Sequence, residues 1–327
     1  MKKSSAKFLP IVLFSLMIIL SSCKSDSTST NNNTPTASGT IILGASSTDN
    51  DCVSYDFSTK KSKVLFSNGQ DPFILPSGEI VYEEPSANGS AVKIRIVSGD
   101  GMIKRTVRDL QTPLTLYTRP KASRDGQYIS FSFWRLGGSS PIYGNAATII
   151  LKPDGTFVDA IDSLFDASWA PDGSCVLSGS VERSGATEPF LVDGLYKLSS
   201  DFTTVTTINN TLDKPLYPAV SPDGKRIAFK TNKHIWIINM DGTGLRQVTK
   251  GLKEESRPCW SPDGKSIACS SYGTFEITFD GYLAVIPSDA AAPIDLTNDS
   301  PYWPRDSDLN GTISLGRLKT GTNITWK

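Results

Sequence analysis

The sequence predicts an all-β protein, a six-bladed β-propeller. Three observations lead to this prediction. A short turn phrase resembling SPDG recurs along the chain, a second family of turns falls between its copies, and the intervals between successive copies are nearly constant. Repetition with a period of 40 to 50 residues is typical of one supersecondary unit that stacks on its own copies.

The first family of turns is clearest in YPAVSPDGKRIAF and RPCWSPDGKSIAC, around Gly224 and Gly264. Serine, proline, aspartate and glycine suit the successive positions of a tight turn, with proline fixing φ and glycine taking the left-handed position. Alternating apolar and polar residues follow, so we assign each copy to a hairpin between strands named A and B. The remaining copies contain Gly78, Gly126, Gly173 and, in the degenerate WPRDSDLNGTISLG, Gly311. Along the chain, the six turn glycines are separated by intervals of 48, 47, 51, 40 and 47 residues.

The aspartates of these turns form a repeated acidic position, which turn chemistry explains. Aspartate stabilises a turn by accepting hydrogen bonds from nearby backbone N–H groups. We therefore interpret them as turn formers and not as a site; they are Asp125, Asp172, Asp223 and Asp263.

The second family of turns predicts hairpins between strands C and D. Its six members are IWIINMDGTGLRQVT, VKIRIVSGDGMIKRTV, TIILKPDGTFVDAI, LYKLSSDFTTVTTI, YLAVIPSDAAAPIDLT and VSYDFSTKKSKVLF. Six hairpins of each family make six four-stranded units, which gives 48 residues per unit over residues 40–327. A four-stranded antiparallel sheet cannot cover its own faces, so such units stack radially into a propeller.

The order of the turns predicts how the ring closes. A C–D hairpin comes first and an A–B hairpin last, so we expect the first and last segments to share one blade, which removes open sheet edges. TIILG (40–44) and NITW (323–326) provide two strands more than this minimum. The filling of the closing blade therefore stays open, with seven blades as the minor alternative.

The phrase W-S-P-D-G-K-x-I-A, followed by I-x-x-x-x-x-D-G and a later threonine, resembles the propeller repeats of the TolB family. The resemblance is strongest over residues 214–271 and recognisable from about 71 to 311. It implies a TolB-like propeller, and similar repeats occur in relatives of prolyl oligopeptidase. TolB proteins carry an N-terminal α/β domain, whereas here the repeats begin directly after a polar tether. We therefore expect a TolB-like lipoprotein without that domain, and the family's partners do not carry over.

The first residues, MKKSSAKFLPIVLFSLMIILSSCK, predict a lipoprotein signal peptide over residues 1–22. Lysines precede an apolar run too short to span a bilayer, and the run ends at Leu20-Ser21-Ser22-Cys23, which resembles the lipobox whose cysteine is acylated. Residues 23–39 then form the lipidated Cys23 and a polar, flexible tether. Lys24, in place of the aspartate that retains similar proteobacterial lipoproteins at the inner membrane, favours the outer membrane, facing either the periplasm or the outside.

The net charge argues against binding of nucleic acid, and the spacing of the cysteines argues against a zinc site. Removal of residues 1–22 takes away three lysines and no acidic residue, which leaves a net charge of −3 and no basic surplus for nucleic acid. Cys52, Cys175, Cys259 and Cys269 lack the spacing of a zinc site. Cys259 and Cys269 flank one turn, so a disulfide between them is the alternative to free buried thiols.

The irregular connections predict the binding surface. In antiparallel blades the A–B and C–D turns lie on one face of the disc, the turn face, while the B–C and D–A connections lie on the other, the loop face. Loops that break a repeat and carry aromatic or charged residues commonly hold function. The candidates for a recognition surface are Trp134, Arg135, Tyr143, Glu182, Arg183, Glu188, Phe190, Tyr272 and Phe275. The alternative for the aromatic members is packing between blades.

A weak calcium candidate lies at Asp306, Asp308 and Asn310, which match the first half of a D-x-D-x-[DN]-G loop. The twelfth position, where a bidentate glutamate is required, is Arg317, so we assign no metal and no cofactor. His234 is the one histidine of the chain and neither a G-x-S-x-G elbow nor a hydrolase domain accompanies it. We interpret it as a partly exposed strand residue.

These observations favour a non-enzymatic binding module of the cell envelope, held by the lipid on Cys23 and recognising a protein or peptide through its loop face. The alternative is a carbohydrate-binding or carbohydrate-active protein, a lyase or hydrolase. In that case Trp134 and Tyr143 would stack on sugar rings, and carboxylates such as Glu182 and Glu188 would converge in space.

Overall fold

A computed structural model describes residues 37–44, 51–86, 91–102, 104–110, 119–134, 146–182, 191–272, 281–296, 304, 318–320 and 323–327, with backbone alone at 133–134, 181–182, 191–192 and 319–320. Over these residues all regular structure is β.

The strands follow one another in groups that match the predicted hairpins. The first three are β1 (Thr40–Leu43), β2 (Asp51–Asp56) and β3 (Lys61–Ser67). The next eight are β4 (Gln70–Ile74), β5 (Ile80–Pro85), β6 (Val92–Val97), β7 (Lys104–Leu110), β8 (Lys121–Ala122), β9 (Ile129–Trp134), β10 (Ala146–Leu151) and β11 (Phe157–Asp162). Eight more are β12 (Leu164–Trp169), β13 (Cys175–Glu182), β14 (Leu191–Leu198), β15 (Val205–Asn209), β16 (Leu216–Val220), β17 (Arg226–Thr231), β18 (His234–Asn239) and β19 (Arg246–Gln247). The last seven are β20 (Thr249–Lys250), β21 (Glu254–Trp260), β22 (Ser266–Tyr272), β23 (Gly281–Pro287), β24 (Ile294–Asp295), β25 (Lys319–Thr320) and β26 (Ile324–Trp326).

These strands form six four-stranded antiparallel sheets, which confirms the six-bladed prediction. In the order A to D, blade 1 is β26-β1-β2-β3, blade 2 is β4 to β7, blade 3 is β8 to β11, blade 4 is β12 to β15, blade 5 is β16 to β19, and blade 6 is β21-β22-β23-β25. Residues of all six A strands line one cavity, so the A strands surround the axis and the D strands lie at the rim.

Blade 1 closes the ring with strands from both ends of the chain, as predicted. Its strand A, β26, pairs with β1, with Trp326 opposite Ile41. Gly39, at φ +89°, stands two residues before Ile41, just as Gly78 stands two residues before Ile80. Gly39 therefore takes the place of the turn glycine, in a turn whose two sides come from distant parts of the sequence.

Two sequence assignments in blade 6 are wrong. The segment around Gly311 lies outside the described residues, but it falls between strands C and D of blade 6 and is therefore not an A–B turn. Ile294–Asp295, predicted as strand D, instead pairs in parallel with Thr249–Lys250 of β20. The actual strand D, β25, comes much later and pairs with β23.

The A–B turns have the predicted chemistry. In the turn at Ser261, the backbone N–H of Gly264 donates to the Ser261 carbonyl at 2.9 Å. The carboxylate of Asp263 accepts hydrogen bonds from the Ser261 hydroxyl at 2.6 Å and from the Lys265 N–H at 3.0 Å. These bonds, that of Ser261 above all, lower the pKa of Asp263. The aspartates of the turns thus act as turn formers.

Each gap between neighbouring blades holds one apolar cluster. Between blades 5 and 6, for example, Ile235 and Ile237 pack with Trp260 and Ile267, and five comparable clusters fill the other gaps. Because each blade is covered on both faces, its inner strands are buried almost continuously and do not alternate. Strand β22, SIACSSY, is buried at its first six positions.

Candidate functional site

The A strands surround a space along the axis of the propeller, here called the central channel. Each blade places one residue beside it, at a fixed position of the repeat. Counted back from the turn glycine, the seventh residue of blades 2 to 6 adopts a left-handed conformation although none is glycine. These residues, named the bulge ring, are Asp71, Arg119, Asp166, Tyr217 and Arg257, with φ values of 48°, 40°, 56°, 55° and 53°. In the four blades 2, 4, 5 and 6 the pairing of strands A and B shifts register here, as in a β-bulge. By register, Asn323 occupies this position in blade 1.

A positive φ is unfavourable for bulky side chains and persists where the surroundings impose it. A bulge re-aims a side chain, and here it brings side chains from adjacent and from non-adjacent blades into contact. Arg119 of blade 3 pairs with Asp166 of blade 4, Nη1 to Oδ1 being 2.5 Å. It also reaches Tyr217 of blade 5, with its guanidinium 4.5 Å from the ring centroid and Nη2 3.3 Å from the hydroxyl. The bulge ring therefore meets at the axis.

The bulge ring extends to the loop face through Tyr272. Arg257 lies over the ring of Tyr217 at 5.6 Å and donates a hydrogen bond to the hydroxyl of Tyr272. The hydroxyl of Ser256 lies 3.3 Å from the same oxygen. Tyr272 ends strand B of blade 6, at the loop face, so the mouth of the channel on this side is aromatic and cationic.

Electrostatics favour the charged form of Arg119 in the ring. Burial lowers the pKa of the Arg119 guanidinium, but the charges of Asp166, Tyr217 and Asp71, together with the hydrogen bond to Asp166, outweigh burial and leave that pKa above its ordinary value. The polar atoms of this layer that lack a hydrogen-bond partner among the described residues include Asp166 Oδ2, Arg257 Nε and Asn323 Nδ2. Donors and acceptors are thus both available at the loop-side end of the channel.

On the turn-face side of the bulge ring lies a cavity of about 440 Å³. Its wall comes from the ends of the A strands and from the A–B turns. The polar and charged members of the wall include Lys121, Arg124 and Cys259, while proline and tryptophan provide much of the rest. The channel therefore has a polar end at the loop face and a largely apolar cavity with cations at the turn face.

The structure brings one predicted binding-face residue, Tyr272, into this site. Trp134 ends β9 and Glu182 ends β13, both at the loop face, and their side chains are not described. Outside the described residues lie Arg135, Tyr143, Arg183, Glu188, Phe190, Phe275, Cys23 and the calcium candidates Asp306, Asp308 and Asn310. For these the binding-face, lipidation and calcium assignments stay predictions.

Cys259 and Cys269 are free thiols. Strand register explains why no disulfide joins them. Cys259 lies opposite Ala268, so Cys269 points to the other face of the sheet. The two side chains accordingly belong to different apolar clusters, Cys269 between blades 5 and 6 and Cys259 between blades 6 and 1.

His234 opens β18 as predicted, and it takes part in a polar contact between blades. Its Nδ1 lies 2.9 Å from Oε2 of Glu255, which is fully buried. Thr249 donates a hydrogen bond to the same oxygen at 2.8 Å. This arrangement joins blades 5 and 6 through the histidine.

The bulge ring was missed at the level of sequence because no single residue type is common to its five members, which are two aspartates, two arginines and a tyrosine. The signal was nevertheless present in the aligned repeats. A proline follows the ring residue in four of the five copies, at Pro72, Pro120, Pro218 and Pro258. An alignment of the repeats on the turn glycine would have shown the recurrent proline and, one residue before it, the ring position.

No group of three His, Cys, Asp or Glu side chains among the described residues is placed to hold a metal ion. Nor does this part of the chain contain a helix long and apolar enough to cross a membrane.

The fold defines the class: a six-bladed β-propeller similar to the solved TolB structures. The structure of a putative TolB from Agrobacterium tumefaciens matches with a TM-score of 0.54 and 18% identity, over 77% of this chain and 86% of that one. TolB from Acinetobacter baumannii matches with a TM-score of 0.59 and 16% identity, over 88% of this chain and 66% of that one. A chain of a nidogen/laminin complex matches with a TM-score of 0.57 and 10% identity, over 88% and 98%.

The chain therefore has the fold of a TolB-like propeller, as its repeats predicted. At these identities the likeness concerns the fold. No protein-family model matches the sequence, and no curated protein matches it either.

Proposed function

We propose that this protein is a non-enzymatic binding module of the bacterial cell envelope, which recognises a protein or peptide through the loop face of its propeller. The observation that carries the proposal is the bulge ring with Tyr272, which places arginine and tyrosine side chains at the loop-side mouth of the channel. Arginine and tyrosine are enriched among the residues that dominate protein–protein binding energies.

The unpartnered polar atoms support the same proposal. A buried polar atom without a partner destabilises a protein by about 1–3 kcal/mol. Asp166 Oδ2 is an acceptor, while Arg257 Nε and Asn323 Nδ2 are donors. An extended peptide carries both N–H and C=O groups, so one entering the mouth would supply partners for all three atoms.

Placement in the envelope rests on the N-terminal sequence together with the TolB-like fold. We propose that residues 1–22 are removed, that lipid on Cys23 holds the protein at the outer membrane, and that residues 23–39 are the tether. A single lipidated cysteine anchors a domain without inserting it into the bilayer. The tether would let the loop face reach a partner at the membrane surface.

Affinity capture from envelope extract of the native host tests the proposal. The full chain in detergent is the bait, and Tyr217→Ala and Arg257→Met are compared with Lys225→Met, an exposed residue of a turn-face hairpin. We expect one envelope protein to be captured by the wild type and by Lys225→Met, and lost with the two mouth variants. Thermal melting of each bait separates loss of binding from loss of folding.

A screen of soluble polysaccharides tests the carbohydrate-active alternative. Saturable binding to a soluble polysaccharide, with turnover that is lost on Glu182→Gln or Glu188→Gln, would contradict the proposal and favour the carbohydrate-active alternative. Capture that is equal for wild type and the mouth variants would contradict the assignment of the mouth as the recognition surface.

A further inference from the structure

The turn-side cavity of the channel has walls that favour an apolar ligand. Five prolines and three of the six tryptophans of the chain contribute to it: Pro76, Pro218, Pro222, Pro258, Pro262, Trp169, Trp260 and Trp326. Proline has no backbone N–H, so these positions offer no hydrogen-bond donor. A volume of about 440 Å³ falls within the range of small-molecule sites.

The charged side chains of this cavity all have the same sign. Lys121, Arg124 and Lys327 contribute to its wall, and none of the described lining residues is an aspartate or glutamate. The acids whose charge reaches Lys121 are Asp71 and Asp166 of the bulge ring, and Asp166 is paired with Arg119. A cavity with several cations and no acid in its wall is complementary to an anion.

Lys121 is the central cation of the cavity. Its Nζ lies 5.2 Å from the ring centroid of Phe73, and no described residue accepts a hydrogen bond from it. Cys259, which also lines the cavity, does not balance its charge, because burial raises the pKa of that thiol to about 11 and keeps it neutral near pH 7. Burial in turn lowers the pKa of Lys121. An anion placed beside this ammonium would restore the interactions that burial removes.

Arg124 extends from blade 3 over the same space. Its Nη2 donates to the carbonyl of Val220 in blade 5 at 3.4 Å. A guanidinium has five N–H donors in a planar arrangement that matches a carboxylate. The contact with Val220 orients the group and uses one of the five.

We propose that this cavity binds a carboxylate attached to an apolar or aromatic group, with Lys121 and Arg124 holding the carboxylate and the proline and tryptophan walls holding the apolar part. A small carboxylic acid and the C-terminal end of a peptide share this chemistry. The site lies toward the turn face and is separate from the loop-side mouth, so its existence does not depend on the function proposed above.

Intrinsic fluorescence measures binding directly, because three tryptophans line the cavity. The full chain in detergent is titrated with phenylacetate and with phenylacetamide, then with N-acetyl-Pro-Phe as the free acid and as the amide. We expect a saturable change with the acids and a change at least about tenfold weaker with the amides, since a charged hydrogen bond is lost. Tighter binding of the dipeptide acid assigns the site to a peptide end; tighter binding of phenylacetate assigns it to a small acid.

Variants tie the signal to the cavity. Lys121→Met keeps the length of the side chain and removes its charge, and we expect it to weaken binding of the acids about tenfold or more, with a melting temperature equal to or above that of the wild type. Lys225→Met makes the same change on the turn face outside the cavity and should leave binding unchanged. Equal affinity for acid and amide, no saturable binding of any probe, or undiminished binding by a folded Lys121→Met protein would overturn the proposal.

Discussion

Arg119 and Asp166 occupy the same repeat position in neighbouring blades and form an ion pair at the axis of the propeller. Their side chains are 12% and 3% exposed, and Nη1 of the arginine lies 2.5 Å from Oδ1 of the aspartate. One structural position of the repeat thus carries opposite charges in adjacent copies. The repeat supplies the backbone geometry, and the differences between copies supply the chemistry.

Removal of one partner of this pair should strongly destabilise the fold. Asp166→Asn leaves the buried Arg119 without its main counter-charge, so we expect the free energy of unfolding to fall by about 3 kcal/mol or more. Arg105→Met removes one side of the more exposed pair between Arg105 and Glu79, which should cost about 1 kcal/mol or less. Urea unfolding followed by circular dichroism measures both. Equal effects of the two changes would contradict the buried pair.

The turn glycines should differ in tolerance according to what lies beside them. Gly242 and Gly264 have φ values of +84° and +69°, so both resist a side chain. A Cβ on Gly242 would lie 2.4 Å from the carbonyl oxygen of Ile208 in the preceding blade, whereas one on Gly264 would meet nothing closer than 3.7 Å. We expect Gly264→Ala to cost about 1–2 kcal/mol and Gly242→Ala about 1–3 kcal/mol more.

Thermal or urea unfolding of the two glycine variants tests this blade-to-blade contact. Because both substitutions impose a similar backbone strain, the difference between them isolates the steric contact with Ile208. A larger loss of stability for Gly264→Ala would show that the C–D turn is not packed against its neighbour as described.

The buried Glu255 should make stability depend on pH. Burial raises its pKa, while hydrogen bonds with His234 and Thr249 partly oppose the shift. The folded state therefore keeps this proton to a higher pH than the unfolded chain does, and its contribution to stability falls as pH rises from about 4. Relative to Glu255→Gln, wild-type stability should decrease between pH 4 and 7. Urea unfolding at four pH values measures this difference, and an increase with pH would contradict the assignment.

Closure of the ring should depend on the last strand. Deletion of residues 323–327 removes β26 and exposes the partners of Ile324 and Trp326, which are both buried. We expect a loss on the order of 5 kcal/mol, from two large apolar side chains and the lost pairing with β1. Lys327→Ala, at an exposed position, serves as the control. Unchanged melting of the deletion variant would mean that β26 does not close blade 1.

The sequence predicted those parts of the fold that local chemistry determines. Ser261, Asp263 and Gly264 form their turn through contacts within six residues, so the phrase is readable in isolation. Repetition of that phrase then yields the number of blades. The parallel pairing of Ile294–Asp295 with Thr249–Lys250 joins strands more than 40 residues apart, and no local pattern distinguishes it from a C–D hairpin.

The residues of the central channel could not be predicted either, because their conformation and burial also depend on contacts between distant parts of the chain. The left-handed conformation of Tyr217 and Arg257 is imposed by the bulge and by contacts across the axis, and neither residue type signals it. Lys121 becomes a partly buried cation because the A strands of the other five blades also line its cavity. The surface loops were predicted as the binding surface because they break the sequence repeat, whereas the channel residues are part of the repeat.

The central claim is that the loop face recognises an envelope protein. Crosslinking from each face of the propeller, in intact cells of the native host, tests it most directly. A photoreactive amino acid is placed at Lys233, in the B–C turn of blade 5 on the loop face, or at Lys265, in the A–B turn of blade 6 on the turn face, both exposed. Mass spectrometry then identifies what is joined to each. The account predicts reproducible crosslinks from position 233 to one envelope protein and none to that protein from position 265. Crosslinks from position 265 alone, or no protein captured from the loop face, would contradict it.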